Sequence, residues 1–203
     1  MKKNIKIIVC LSIVFTIILG AAFILKFAYN KYIYATYPLK YENEVNAASE
    51  KYHINKSLIY AVIKTESSFN PSAESHAGAI GLMQITPDTF TWLQTYYKDD
   101  NDYTVDDLKD YKVNIDYGTH LLSILLDMYN NEETALCAYN AGVGRVDGWL
   151  KNPEYSNDGV TLKKVPIEET DNYRNKVEKN KNAYIKLYFP DEAESTSKIR
   201  TAS

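Results

Sequence analysis

An uninterrupted apolar run near the start of the chain limits what this sequence can fold into more than any other feature. Nineteen residues, Ile7 to Leu25, carry no charge, and a helix of that length can cross a lipid bilayer. A cleaved signal peptide usually has a shorter apolar region, of about 7–15 residues. We therefore expect residues 1–27 to form an uncleaved membrane anchor. Secretion after cleavage at the small residues Gly20-Ala21-Ala22 is the alternative.

The lysines around this run predict its orientation. Lys2, Lys3 and Lys6 precede it, and such lysines favour a cytoplasmic N-terminus. Lys26 and Lys31 follow it and weaken this bias. We expect a single-pass protein of the cell membrane whose remaining chain lies on the extracytoplasmic side.

The rest of the chain is expected to comprise three parts. A short juxtamembrane connector covers residues 28–40 and contains several tyrosines that suit a membrane interface. A globular domain covers residues 41–190. Residues 191–203, which are polar and rich in serine and threonine, are expected to be a disordered tail.

Composition excludes several classes of function. The chain has 203 residues, of which 45% are hydrophobic and 24% charged, an ordinary globular balance. Removing the three N-terminal lysines from the 23 basic residues leaves 20 against 26 acidic ones, a net charge of −6 for residues 7–203. Such a domain is a poor partner for nucleic acid. Two cysteines and three well-separated histidines provide no metal-ligand spacing, so we expect no metal and no cofactor.

Hydrophobic periodicity predicts an all-α domain. Segments such as Val113–Tyr129 and Glu168–Tyr188 have apolar residues at helical spacing. Strand patterns are nearly absent. Asn157-Asp158-Gly159 is a turn signal, so we expect at most one small β-hairpin, within residues 152–165.

One carboxyl group stands in a setting that suits acid catalysis. A helical apolar run, Leu58 to Ile63, carries Glu66 near its C-terminal end, and Asn70-Pro71 stops the helix. The apolar segment Leu82-Met83-Gln84-Ile85 follows. A carboxyl beside such a wall is partly desolvated, which raises its pKa towards the range of a general acid. A surface glutamate is the ordinary alternative.

Three motifs in order resemble those of the soluble lytic transglycosylase catalytic domain, over about residues 41–188. They are listed here as they stand in this chain: Glu66-Ser67-Ser68-Phe69-Asn70-Pro71 with Ser75 and Gly78-Ala79-Ile80-Gly81-Leu82-Met83-Gln84-Ile85; Ala138-Tyr139-Asn140-Ala141-Gly142 with Val146 and Trp149; and Pro166-Ile167-Glu168-Glu169-Thr170 with Tyr173 and Val177. The resemblance implies a lysozyme-like helical domain. It also implies an enzyme that cleaves the β-1,4 bond between N-acetylmuramic acid and N-acetylglucosamine in peptidoglycan, without water, and leaves 1,6-anhydromuramic ends.

The resemblance also implies roles for individual residues. Glu66 would be the catalytic acid and base. Residues implied to bind substrate or to line the cleft are Ser75, Met83, Gln84, Tyr139, Asn140 and Glu169. Before the structure is considered, Met83 fits a core position as well, Ser75 an exposed loop, and Glu169 a favourable charge at a helix N-terminus.

The expected partners are peptidoglycan glycan strands, the membrane, and cell-wall or secretion machinery. Two other functions stay open at this point. A relative of goose-type lysozyme would hydrolyse the same bond with water. An inactive wall-binding assembly subunit would keep the fold without the chemistry.

Overall fold

The computed structural model describes residues 2–97 and 102–193, and the chain forms two units that divide after Pro38. The first unit is one long helix, α1 (Lys2–Thr36), which continues through most of the segment assigned to the connector. Its part Ile13–Thr36 is apolar and long enough to cross a membrane, with a mean hydropathy of 1.9. A signal sequence would meet the same criterion.

The second unit is built from helices joined by loops, which confirms the all-α prediction. In chain order its helices are α2 (Glu42–Tyr52), α3 (Lys56–Ser67), α4 (Pro87–Tyr97), a 3₁₀ helix (Val105–Lys109), α5 (Tyr111–Tyr129), α6 (Glu132–Ala141), α7 (Val143–Leu150) and α8 (Glu168–Tyr188).

The small β-hairpin that the sequence allows within residues 152–165 does not form. That segment is an irregular loop, in which the Lys163 N–H donates a hydrogen bond to the Tyr155 carbonyl (2.9 Å). Within the described residues, β-type pairing is limited to isolated bridges of Ile80 with Glu74 and with Ile85. Asp158 explains the difference, because its carboxylate accepts from the Val160 and Thr161 N–H groups (both 2.8 Å) and folds the chain into a tight turn.

Helix α3 is the centre of the second unit. Every residue from Ser57 to Ile63 is buried, which is the pattern of a helix enclosed by its neighbours and not of a surface helix. Helix α8 runs antiparallel along it: Tyr184 stacks on Tyr60 with ring centroids 5.2 Å apart. Nearer the other end of α3, the Asn180 amide donates to the Thr65 hydroxyl (2.9 Å). These contacts set the register of the two helices.

Two further apolar clusters flank this pair of helices, and α5 contributes to both. Its N-terminal half packs with the loop after α3, with α4 and with the 3₁₀ helix, through Ile80, Ile85, Phe90, Leu93, Leu108, Val113 and Tyr117. Its C-terminal half packs with α6 and α7, through Leu125, Tyr129, Ala135, Cys137, Ala138 and Val146. The long helix thereby joins the loop after α3 to the α6–α7 corner.

The start of α3 is capped from the far end of the chain. The Glu192 carboxylate accepts hydrogen bonds from the Lys56 and Ser57 N–H groups (3.0 and 3.1 Å), which satisfies two donors that have no partner inside the helix. Residues 191–193 therefore belong to the folded unit. The remainder of the expected tail, residues 194–203, lies outside the described residues.

Candidate active site

The site forms where α3 ends. Ser68 and Phe69, which follow the helix, both adopt left-handed backbone conformations (φ 51° and 64°), and such residues turn the chain sharply. Phe69 is buried against Tyr60. The Ser67 hydroxyl donates to the Leu82 carbonyl (2.8 Å) and ties the helix end to the loop that follows. This exit fixes Glu66 on the last turn of a rigid, buried helix.

The pKa of the Glu66 carboxyl is raised to about 7, because burial disfavours its charged form. The polar hydroxyl of Tyr173 and the positive charge of Lys176 act in the opposite direction and offset part of the effect. A carboxyl with such a pKa is present in both protonation states near neutral pH. It can therefore donate a proton and later accept one.

Two tyrosines face this carboxyl from α6 and α8. The rings of Tyr139 and Tyr173 are nearly parallel, at 8°, with centroids 6.5 Å apart. Burial, together with the charge of Glu66, raises the pKa of both phenols well above the usual value, so both stay protonated donors. The Tyr139 hydroxyl donates to the Met83 carbonyl (2.8 Å). The Tyr173 hydroxyl is buried, and within the described residues it makes no hydrogen bond of regular geometry. It is nevertheless close enough to Glu66 to lower the pKa of that carboxyl.

The apolar wall beside Glu66 is held in place by an amide that the sequence analysis did not select. Asn114 lies in the buried face of α5, where its Oδ1 accepts from the Met83 N–H (2.7 Å). Its Nδ2 donates to the carbonyls of Ile80 and Leu108 (2.9 Å each). All its hydrogen bonds go to backbone groups, so it fixes the loop that carries the wall. A buried asparagine between Val113 and Ile115 was the available signal.

Met83 and Gln84 contribute to this loop differently from the implied roles. The Met83 side chain is fully buried (0% exposed), so in this conformation it offers no surface to a sugar ring. Gln84 has φ 51°, and its side-chain N–H₂ group donates to the carbonyls of Ala73 and Gly81 (3.1 and 2.9 Å). Gln84 therefore braces its own loop through the nitrogen, while the amide oxygen is a remaining acceptor.

The remaining sequence-predicted residues are Ser75, Asn140 and Glu169. The Ser75 hydroxyl accepts from the Ala79 N–H (3.0 Å) in a half-buried turn. Asn140 joins the end of α6 to the start of α8, because its Oδ1 accepts from the Thr170 hydroxyl (2.7 Å). Glu169 is exposed on the first turn of α8. Within the described residues, no hydrogen bond or ion pair joins Ser75 or Glu169 to Glu66.

The structure brings together Glu66, Tyr139 and the Met83 backbone, and it adds Tyr173, which the third motif contained without an assigned role. Its position one turn into α8, on the face packed against α3, was the signal that could have identified it. No group of three or more His, Cys, Asp or Glu side chains among residues 2–97 and 102–193 is arranged to hold a metal ion.

Comparison with known proteins agrees with this geometry. Residues 43–160 match the family model described as the transglycosylase SLT domain. The chain is 34% identical over 139 residues to the soluble lytic murein transglycosylase of Escherichia coli K12, covering 68% of this chain and 22% of that protein. It is 32% identical over 173 residues to the membrane-bound lytic murein transglycosylase C of Haemophilus ducreyi, covering 73% of this chain and 46% of that protein.

Solved structures give the same result and support the lysozyme-like expectation. The 70 kDa soluble lytic transglycosylase of Escherichia coli superposes with a TM-score of 0.68 at 28% identity, over 76% of this chain and 25% of that one. The lytic transglycosylase Slt of Pseudomonas aeruginosa, solved as an inactive glutamate-to-glutamine mutant, superposes with a TM-score of 0.65 at 28% identity, over 75% and 25%. The chain thus spans less than half of the length of these relatives.

Proposed function

The chain belongs to the transglycosylase SLT domain family, and on that premise we propose that it is a peptidoglycan lytic transglycosylase. It cleaves the β-1,4 bond between N-acetylmuramic acid and N-acetylglucosamine and leaves 1,6-anhydromuramic ends. The observation that carries this proposal is the Glu66 carboxyl, held at the end of a buried helix with a pKa of about 7. The inactive glutamate-to-glutamine mutant of the Pseudomonas relative supports a catalytic glutamate.

A single carboxyl performs both proton transfers. Glu66 first donates its proton to the glycosidic oxygen as the bond from that oxygen to muramic C1 breaks. The resulting carboxylate then takes the proton from the 6-hydroxyl of the same muramic acid, and the 6-oxygen bonds to C1. Overall, a proton passes from the 6-oxygen to the leaving oxygen and no water is consumed.

The surroundings of Glu66 suit this route better than hydrolysis. Ordinary glycosidases use two carboxyl groups about 5–9.5 Å apart. Within residues 2–97 and 102–193, the side chains that influence the pKa of Glu66 are a phenol, Tyr173, and a cation, Lys176, and no second carboxylate is among them. A nucleophile tethered to the substrate needs no activated water, because proximity replaces the second acid. The substrate's 2-acetamido oxygen can stabilise the developing cation.

The other residues bind or position substrate in this proposal. The Tyr173 hydroxyl orients the carboxyl and stabilises its ionised form, whereas Tyr139, whose hydroxyl donates to the Met83 carbonyl, holds the loop beside it. The Ser75 hydroxyl and the amide oxygen of Gln84 are the hydrogen-bonding groups for N-acetyl substituents. Glu169, exposed at the start of α8, extends the glycan-binding surface.

The test is the chemical nature of the ends released from purified peptidoglycan. Mass spectrometry should find muropeptides lighter by one water than the hydrolysis products. Free reducing muramic acid would instead support the goose-type lysozyme alternative. The variant Glu66→Gln should release at least 10²–10⁴-fold less product, while Glu50→Gln, an exposed glutamate on α2, should keep the parent rate. Equal rates for Glu66→Gln and the parent would favour the inactive wall-binding subunit.

Helix α1 is proposed to anchor the enzyme in the cell membrane, with the second unit on the extracytoplasmic side, where it remodels the wall. Its length and composition support a membrane span, and one group of relatives is named membrane-bound. The tagged full-length chain should fractionate with membranes and resist carbonate extraction. A shortened, soluble form would show that α1 is a cleaved signal.

A further inference from the structure

Helices α6 and α8 run antiparallel and are joined by polar side chains at both ends of α6. At its start, the Glu132 carboxylate accepts from the ammonium group of Lys181, in the second half of α8 (2.6 Å). At its other end, the Asn140 Oδ1 accepts from the hydroxyl of Thr170, on the first turn of α8 (2.7 Å). Thr170 is only 2% exposed. The Thr170–Asn140 hydrogen bond is thus a buried link between the end of α6 and the start of α8.

This hydrogen bond lies beside both tyrosines that face Glu66. Tyr139 immediately precedes Asn140 on the last turn of α6. Tyr173 is three residues after Thr170, so the two side chains share a face of α8. The tyrosine rings are nearly parallel, at 8°, with centroids 6.5 Å apart. A bond that fixes the distance between these helix ends therefore also fixes the two rings relative to each other.

The place of Thr170 in α8 makes its hydroxyl available for this contact. A threonine further inside a helix can donate to the carbonyl four residues earlier, as Thr65 does to Ala61 on α3 (2.7 Å). For Thr170 that carbonyl belongs to Pro166, which precedes the helix. The hydroxyl donates to α6 instead, where it contributes to the packing of two helices and not to its own.

We infer that Thr170 is a positioning residue that, through Asn140, keeps water away from the Glu66 carboxyl. It does so by holding the end of α6, which carries Tyr139, against α8. The inference rests on the proposed function of that carboxyl, and it gives Asn140 a role in the site other than contact with sugar. Loss of the Thr170 hydroxyl would leave the two helix ends without this link and admit solvent between them.

The direction of the effect follows from the groups that face Glu66. Burial raises the pKa of its carboxyl, whereas the Tyr173 hydroxyl and the charge of Lys176, both on α8, lower it. From α6, Tyr139 faces the same carboxyl as a neutral phenol. A change at Thr170 removes none of these groups and reduces the burial, so the pKa of Glu66 should fall. The alkaline limb of activity, where the acid loses its proton, should then move to lower pH.

The experiment compares Thr170→Val with the parent, as full-length enzymes acting on soluble glycan strands across a range of pH. Valine has nearly the shape of threonine but no hydroxyl. We expect kcat to fall about tenfold, KM to change by less than about twofold, and the alkaline limb to move about 0.5–1 unit to lower pH. Thr170→Ser, which keeps the hydroxyl, should restore most of the parent's kcat and its pH profile. An unmoved limb, or one moved to higher pH, would overturn the inference.

Thr134→Val is the matched control for the loss of a buried hydroxyl. Thr134 is fully buried on α6, and its hydroxyl donates to the Val160 carbonyl in the loop before α8 (3.3 Å). This variant should lower the Tm about as much as Thr170→Val but leave the alkaline limb in place. An equal displacement of the limb in both variants would show that Thr170 acts only through overall stability, and would refute its positioning role. Asn140→Ala, which removes the other partner, should move the limb to lower pH and covers the case in which Thr170→Val does not fold.

A titration that needs no activity keeps the inference separate from the proposed function. With isotope-labelled glutamate, the carboxyl resonance that is absent from Glu66→Gln is that of Glu66, and its pKa is measured directly by NMR. It should be lower by about 0.5–1 unit in Thr170→Val and unchanged in Thr134→Val. This result would support the positioning role even if the parent released no anhydromuramic ends, in which case only the proposed function would fail. The same Glu66 pKa in Thr170→Val and in the parent would refute the role of Thr170 whatever the activity.

Discussion

Replacing Glu66 by glutamine should stabilise the folded protein at alkaline pH while it abolishes activity. The carboxyl has a pKa raised from 4.5 to about 7, so the folded state resists its ionisation. At 1.36 kcal/mol per pKa unit, the difference between these two pKa values sets a ceiling of about 3 kcal/mol. Because the side chain is only partly buried, we expect about 1–3 kcal/mol. Glutamine has nearly the same shape and never ionises.

The direction of the pH dependence follows from proton linkage. A carboxyl with a raised folded-state pKa binds its proton more tightly in the folded protein than in the unfolded chain. Between pH 4.5 and about 7, the free energy of unfolding of the parent therefore falls relative to that of Glu66→Gln. Below this window the difference between the two proteins is constant, and above it the ionised carboxyl destabilises the parent to the full extent.

The assay is thermal unfolding of the full-length chain in detergent, followed by near-ultraviolet circular dichroism at pH 4.5 and pH 8.5. Relative to its value at pH 4.5, the Tm difference in favour of Glu66→Gln should grow by about 3–10 °C at pH 8.5. Glu50→Gln, at an exposed position, should show no such growth. A Tm difference for Glu66→Gln that is the same at both pH values would refute the claim that burial sets the state of this carboxyl.

Three other perturbations test the groups around the site. Tyr173→Phe removes a hydroxyl that lowers the pKa of Glu66. The alkaline limb of the pH–activity profile should therefore move to higher pH, with a rate loss of about tenfold. An unmoved limb would contradict the influence of Tyr173 on Glu66. Asn114→Ala leaves three backbone groups without their partner. Urea unfolding should show that the free energy of unfolding falls by about 2–4 kcal/mol. A fall below about 1 kcal/mol would mean that the loop does not depend on this amide. Glu192→Gln weakens the cap of α3 and should lower stability by about 0.5–2 kcal/mol, whereas its neighbour Asp191→Asn should not.

Helix positions were predictable because burial imposes a period on the sequence. The predicted bounds of α8, Glu168–Tyr188, are those of the structure, and the predicted Val113–Tyr129 helix differs from α5 only in its first two residues. The 3₁₀ helix at Val105–Lys109 was missed because five residues are too few to show a period. The Asn157-Asp158-Gly159 signal did mark a turn, but the Val160 and Thr161 N–H groups donate to the Asp158 carboxylate and so do not enter a strand ladder.

The chemistry of the site was predictable only in part. The position of Glu66 after a buried helix, beside an apolar loop, indicates desolvation, and the structure agrees. The sequence alone does not distinguish a buried loop residue from one that lines the cleft. Met83 is predicted to contact sugar, whereas its side chain is fully buried. Nor could it identify Asn114, because local pattern does not reveal which backbone groups a buried amide reaches across the fold.

The properties of Glu66 follow from where a helix ends. Burial of α3 on all sides from Ser57 to Ile63 leaves its last turn at the boundary of the core, where a carboxyl is desolvated without being enclosed. The chain then turns sharply at Ser68 and Phe69, which both have left-handed backbone conformations, and leads away from that carboxyl. Its ionisation is opposed mainly by burial, so the same packing that stabilises the fold also creates the proton donor. Substitutions that loosen the contact of α3 with α8 should therefore lower the pKa of Glu66 before they unfold the domain, and the alkaline limb of activity would report it.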